Sequence, residues 1–318
     1  MSHLVDSMAY VGEMPWHGLG NSLQKGQSLD VWAQKSGLDW EINKSPVLFD
    51  KGNTNRIHEI GGFEDKSVLY RSDTGAPLSV VSQRYNVVQP REILEFYRDL
   101  TEVSGFELET AGVLKGGKKI WALARTGQTT SIKGNDVTKG YVLLATACDG
   151  SMATTAQFTS VRVVCNNTLA VSLSQEKESA VKVPHSTQFD AKAVKKDLGL
   201  SVSAWDEFMY QMKVFSERRI SHKEARNFYH NVFSSRQTEG KVNERAMAKA
   251  INLFEGNGRG SQLASSKNTA LGLLNSVTEF IDHEQRAHSS DHRMDSAWFG
   301  AGAQVKQRAL SEARLLTA

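Results

Sequence analysis

The chain has 318 residues, 40% hydrophobic and 23% charged, a globular composition sufficient for one large or two ordinary domains of roughly 100–200 residues. No apolar run approaches the ~20 residues that span a bilayer, and Met1–Gly20, with Asp6, Glu13, Pro15 and His17, lacks the basic-then-apolar order of a secretory signal. Lys and Arg exceed Asp and Glu by only 38 to 35, so total charge does not by itself argue for a polyanionic partner.

Residues 1–60 read as irregular and turn-rich, with a compact aromatic and glycine turn at Met14-Pro-Trp-His-Gly-Leu-Gly20. Ser28 can cap a short helix over Asp30–Lys35, which Gly37 stops. Strand-like pieces follow at Trp40–Ile42 and Val47–Phe49, and Ser67–Arg71 and Leu78–Ser82 flank the turn Asp73–Pro77. Pro90 suits the first turn of a helix, along which Ile93, Leu94, Tyr97, Leu100 and Val103 recur at helical spacing until Gly105. Two hairpin signals come next. Phe106–Leu114 and Lys119–Arg125 flank Lys115-Gly-Gly-Lys118, and Tyr141–Cys148 and Ser151–Val164 flank Asp149-Gly150. This pattern predicts an antiparallel meander sheet with helices in the N-terminal half.

From Phe189 the period changes. Val202, Trp205, Phe208, Met209, Met212 and Phe215 recur at spacings of three and four, in one helical stretch. Ser221 caps Lys223–Phe233, Asn243 opens Glu244–Phe254, and Gly256–Ser261 is a loop. Lys267–His283 is helical, His288–Met294 is polar and exposed, and Gln304–Leu316 is a last amphipathic helix. The expected organisation is α+β, with a strand-rich domain over 1–188 and a helical region over 189–318.

Between Thr110 and Ala170 seven basic residues, Lys115, Lys118, Lys119, Arg125, Lys133, Lys139 and Arg162, face only Asp136 and Asp149. Lys115–Lys119 reads either as a solvated turn or as a phosphate-contacting tip. Arg162-Val-Val-Cys-Asn-Asn-Thr168 reads as a strand entering a helix. There Asn166, Asn167 and Thr168 either cap the helix or present its N-terminus, with Arg162, to an anion. Phe215-Ser-Glu-Arg-Arg219 is a second, weaker basic spot. Tyr141 and Phe158 read as core residues, or as platforms on which bases stack. Cys148 and Cys165 form neither a C-x-x-C pair nor a disulfide framework, as in a reducing cytoplasm. No G-x-x-x-x-G-K-[ST] is present, and Gly256-x-Gly-x-Gly260 lacks the spacing of a dinucleotide loop. His283, His288 and His292 with Asp282 and Asp291 match no zinc spacing, and His17 has no nucleophile signature beside it. These features predict no cofactor and no metal.

Met8–Gly20, Cys148-Asp-Gly150, Arg162–Leu169, Leu274–His283 and Trp298–Ala303 together resemble the phage/plasmid-like family defined by a domain of unknown function. The resemblance implies a gene carried by a phage, plasmid or integrated element and brings no mechanism with it. More distantly, the order of helix, long hairpins and helix is similar to single-strand annealing proteins, which bind DNA in rings or filaments without ATP. The expected function is therefore single-stranded DNA binding and annealing by a cytoplasmic homo-oligomer, alongside host or phage replication and recombination proteins. Its contacts would be Lys115, Lys118, Lys119, Arg125, Lys133, Lys139, Arg162, Asn166 and Asn167. The alternatives are a protein that binds a host factor, and an enzyme using His17, Asp149 or the His283–His292 region.

Overall fold

A computed structural model describes residues 5–12, 20–54, 57–164, 167–170, 180–199, 202–234 and 242–317. The first part of the chain forms β1 (Val5–Val11), β2 (Asn21–Leu23), α1 (Leu29–Ser36), β3 (Ile42–Thr54), β4 (Ile57–Arg71), β5 (Pro77–Ser82) and α2 (Pro90–Ser104). Then come β6 (Glu107–Leu114), β7 (Lys119–Ser131), β8 (Val137–Ala147), β9 (Thr154–Arg162), β10 (Asn167–Ala170) and β11 (Ala180–Val183). The rest is helical: α3 (Ala191–Gly199), α4 (Val202–Glu217), α5 (His222–Phe233), α6 (Glu244–Asn252), α7 (Ala270–Glu279), α8 (Ser290–Phe299) and α9 (Ala301–Leu315).

The protein is α+β, with strands concentrated in its first two thirds and helices mostly after them. The expected simple antiparallel meander is wrong. The main sheet has eight strands in the order β10-β9-β8-β7-β6-β1-β2, with β11 pairing β9 off that path. Consecutive neighbours hold from β6 to β10, but the strand beside β6 is β1, antiparallel with Ala9 opposite Ala111, and β2 then runs parallel to β1. A separate sheet holds β3-β4-β5. Local pattern misses β1 because Met8, Ala9 and Tyr10 are all buried, and such a run shows no alternation. Its partner lies about a hundred positions away, where Gly112 lets it approach. A Cβ there would stand 2.8 Å from the Cβ of Met8.

Two compact units divide the chain, the first comprising Met1–Ala124, Leu143–Ala156 and Ala180–Lys196, the second Arg125–Val142, Gln157–Ser179 and Asp197–Ala318. The expected boundary at residue 188 falls inside the first unit's last segment.

In the first unit the helix signals act as read. Ser28 accepts from the N–H of Val31, and Gly37 closes α1 in the left-handed region at φ 74°. α2 buries Ile93, Leu94, Phe96 and Tyr97, and the Tyr97 hydroxyl donates to the Ala122 carbonyl at 2.7 Å.

In the second unit α4 buries Trp205, Phe208, Met209, Met212 and Phe215, each burial contributing about 1.5–3 kcal/mol. Trp205 meets Phe158 edge to face at 5.8 Å and donates to Thr130. The helical stretch expected from Phe189 to Phe215 is two helices, α3 and α4. His288–Met294 leads into and starts α8, with His288 and His292 exposed. No helix of the described residues is long and apolar enough to cross a membrane.

Candidate nucleic-acid interface

The structure places the expected contact residues in unequal settings. In the first unit, Lys115–Gly117 forms a single 3-10 turn, with Lys115 at φ 56°. Only Lys118 of the three tip lysines is exposed; Lys115 is half-buried and Lys119 is 6% exposed. The turn is anchored. The Cys148 N–H and thiol both donate to the Lys118 carbonyl, and a Cβ on Gly117 would meet Trp40 and Leu78 at 3.1–3.2 Å. Burial pushes the Cys148 thiol up to about 12, so it is not a nucleophile at neutral pH. In the second unit, Arg125 and Lys139 are half-buried on β7 and β8, and Lys133 donates to the Ser216 carbonyl at 2.9 Å. Asn166 lies outside the described residues.

Arg162 is 6% exposed and holds Asp136 in a two-point ion pair, Nε to Oδ1 at 2.6 Å and Nη2 to Oδ2 at 2.9 Å. Its Nη2 also donates to Ser266 Oγ at 2.9 Å, and Ser265 donates to Asp136. The backbone after Arg162 does not enter a helix. Asn167–Ala170 is a strand, β10, with Asn167 opposite Arg162, so the expected helix N-terminus for an anion is absent from this segment. Asn167 instead donates to Thr278 Oγ1 at 3.1 Å and to the Asn275 carbonyl at 3.3 Å. The Thr168 N–H donates to Asp282 at 2.7 Å, and buried Lys306 donates to Asp282 and to both oxygens of Thr168, each at 2.8 Å. Beside them Glu279 accepts the Arg259 N–H at 3.0 Å, and burial raises its carboxyl above the usual range. This buried polar network ties β9 and β10 to α7 and α9, with Asn167 Oδ1 left without a hydrogen-bond partner among the described residues. Its charges face each other, not solvent.

A different set of cations faces outward in the same unit. α4 turns its apolar stripe inward, which leaves Tyr210 69% exposed with Lys213 three residues on, also exposed. The segment after α4 pairs with the residues before α7. Arg219 is opposite Thr269, and the Ile220 N–H donates to the Asn268 carbonyl at 3.1 Å. Arg219 then donates to the Lys267 carbonyl at 2.8 Å, which brings Lys267 beside it across 48 positions of sequence. Ser221 caps α5 in a full capping box with Glu224, so exposed Lys223 stands in the first turn of that helix. The Ser221 hydroxyl and N–H, and then Arg218, hold the Glu224 carboxyl down to about 2. Arg218 itself is committed to Glu224 and the Leu316 carbonyl. Lys213, Arg219, Lys223 and Lys267 are all exposed, and among the described residues none is ion-paired.

Of these residues the sequence singled out only Arg219, in the basic spot at Phe215–Arg219. Tyr210, Lys213, Lys223 and Lys267 were missed: Lys267 arrives through a distant bridge, and Tyr210 is the aromatic left off the buried stripe. Tyr141 and Phe158 are core residues, 3% and 1% exposed. His17 lies outside the described residues. His283 is buried while His288 and His292 are exposed, and among the described residues no group of three or more His, Cys, Asp or Glu could hold a metal. A cleft of about 460 Å³ in the first unit is lined by Trp32, Tyr97 and Leu108, with Lys25, Arg98 and Glu107 among its exposed residues. Among the described residues its lining holds no histidine or cysteine.

Residues 77–298 match the family model described as Domain of unknown function (DUF932), more than two thirds of the chain, and the protein belongs to that family. No curated protein and no solved structure matches the chain.

Proposed function

We propose that this protein binds single-stranded DNA through the surface of Tyr210, Lys213, Arg219, Lys223 and Lys267, and that it anneals strands without ATP in the recombination of a phage or plasmid. The observation that carries the reading is a run of exposed side chains along α4, the segment after it and the start of α5, namely Tyr210, Lys213, Arg219 and Lys223, with Lys267 brought beside Arg219 and no cation of the set ion-paired among the described residues. Ammonium and guanidinium groups release counterions from phosphates, and a tyrosine face stacks on any base, so binding is salt-sensitive and tolerant of sequence. In this reading Arg162, Asn167 and Lys133 support the fold. The sequence carries no P-loop motif, so no ATP-driven step is assigned. The site of action is the cytoplasm of the host cell.

Four phosphate contacts give a slope of log affinity on log salt near −2.8 for a single strand, at about 0.7 per contact. Affinity then falls roughly fiftyfold between about 50 and 200 mM salt. Anisotropy of a labelled oligothymidine across a salt series reads this. Lys213→Ala with Lys223→Ala should reduce the slope by about 1.4. Tyr210→Ala should weaken binding by about 1–3 kcal/mol with the slope unchanged. No binding at the lowest salt, or a slope indifferent to the double substitution, overturns the proposal.

A further inference from the structure

Strands β8, β9 and β10 are neighbours in the main sheet. Ser160 of β9 stands opposite Leu169 of β10, and Arg162 opposite Asn167; directly opposed side chains share a face of a sheet. β8 joins them at the same level, where the Val163 N–H donates to the Val137 carbonyl at 2.9 Å. α4 and α7 cover this face, and the layers do not close on each other completely. Thr138, Ser160, Arg162 and Asn167 from the sheet, Phe208 from α4 and Thr278 from α7 border a void of about 30 Å³. All of them belong to the second unit. Thr138 and Ser160 are each 5% exposed and Asn167 4%, so what bonds to their polar atoms has to lie inside the protein.

Two polar groups of this lining have no partner in the chain. Asn167 Oδ1 is buried without a hydrogen bond among the described residues. The amide cannot be turned round to supply one. Its Nδ2 donates to the Asn275 carbonyl and to Thr278 Oγ1, and a carbonyl only accepts, so Oδ1 is the atom left over. The Thr138 hydroxyl likewise makes no hydrogen bond among the described residues. Ser160 Oγ donates to the Leu169 carbonyl at 3.1 Å, which leaves its lone pairs free to accept. Buried polar atoms of native proteins are paired, with protein or with ordered water.

We propose that this void is a binding site for one internal water molecule, which donates to Asn167 Oδ1 and bonds to the hydroxyls of Thr138 and Ser160. Size favours it: a water occupies ~30 Å³ in the liquid and needs two to four polar partners when buried, and both conditions are met. Charge excludes the ions that could compete. The Arg162 guanidinium on the same face opposes a cation, and the unpaired Asn167 oxygen opposes an anion. The strand expected to hold a phosphate therefore holds solvent. The water also brings β8, through Thr138, into the polar layer by which Asn167 ties β10 to α7.

Two measurements on the full chain test this. In a high-resolution crystal structure a solvent peak should stand within about 2.5–3.0 Å of Asn167 Oδ1 and of a hydroxyl of Thr138 or Ser160. In solution, deuterium relaxation dispersion of the bulk water counts molecules held inside the protein for longer than it takes to tumble. The wild type should hold one more such water than Thr138→Ile, which removes a hydroxyl and adds apolar volume to the void. If that variant does not fold, Thr138→Val is read in its place. A map with no peak at this point, or equal dispersion amplitudes in wild type and variant, overturns the proposal. Neither outcome bears on the salt slope of DNA binding.

Discussion

Replacing Asp136 by alanine tests whether Arg162 belongs to the fold or to a ligand. Asp136 is fully buried, accepts from Arg162 at two points and accepts from Ser265. Asp136→Ala takes away the carboxylate that holds the guanidinium at two points; the contacts to Ser266 at 2.9 Å and to the Gly260 and Arg259 carbonyls at 3.4 and 3.5 Å, and the attraction of Glu279, remain among its interactions. Removing one partner of a buried pair costs about 3–5 kcal/mol, because the other charge stays buried with too little compensation. That is a large share of the ~5–15 kcal/mol of a typical fold. Removing both charges, Asp136→Leu with Arg162→Met, should cost less than the two single substitutions together, with a coupling of about 2 kcal/mol or more. Urea unfolding gives the totals, and hydrogen exchange of β9 peptides assigns the loss to the second unit. If Asp136→Ala lies within about 1 kcal/mol of wild type, or the double variant loses the plain sum, the pair is not holding the fold. The same experiment separates the two roles of Arg162. A surface phosphate contact would leave stability intact and cut the salt slope by about 0.7.

Two further predictions test local geometry. The Glu224 carboxyl is held down to about 2 against an ordinary 4.5, so its contribution is present above pH 4.5 and is lost as pH falls from there towards 2. Over that window the wild-type melting temperature should fall more steeply than that of Glu224→Gln, and parallel curves would refute the capping-box account. Gly272 lies in α7, where helix propensity alone would favour alanine by about 1 kcal/mol. A Cβ there would stand 2.0 Å from the Ser266 carbonyl oxygen, so Gly272→Ala should destabilise by about 1–3 kcal/mol or more. A gain in urea midpoint would refute the close approach.

What was legible in the sequence was local. The Ser28, Ser221 and Asn243 caps each sit at the start of a helix, and Pro90 opens α2, because a cap is decided by residues three or four apart. Both glycine turns join the strands expected of them. What failed was non-local. Nothing near Val5–Val11 reports its pairing with β6. Nothing near Arg162 reports that Asp136, 26 positions earlier, will take its charge and bury it. The excess of cations over Thr110–Ala170 was real as composition, but Arg162 and Lys119 are buried and Lys133 is bonded to a backbone carbonyl. A count of charge along a chain does not distinguish a solvated cation from one with a carbonyl or carboxylate beneath it. The Asn166–Thr168 cap failed for a similar reason: a polar pair after a strand fits a helix start as well as a second strand, and only the partners on α7 and α9 decide.

The segments that carry the family resemblance therefore have an architectural explanation. Arg162–Leu169 and Leu274–His283 lie far apart in sequence and meet in the structure through Asn167 on Thr278 and Thr168 on Asp282, with Lys306 of α9 completing the second contact. Buried polar groups tolerate few substitutions, since each lost partner strands another group away from water. A motif made of them marks how this fold closes rather than where it acts. The residues proposed to bind DNA, Tyr210, Lys213, Arg219, Lys223 and Lys267, fall outside both motifs and outside the buried core. They have solvent instead of partners, and their identity is constrained only by what they bind. The two classes should separate experimentally: substitutions in the motifs shift the urea midpoint, whereas substitutions on the proposed DNA surface leave it in place and change binding alone.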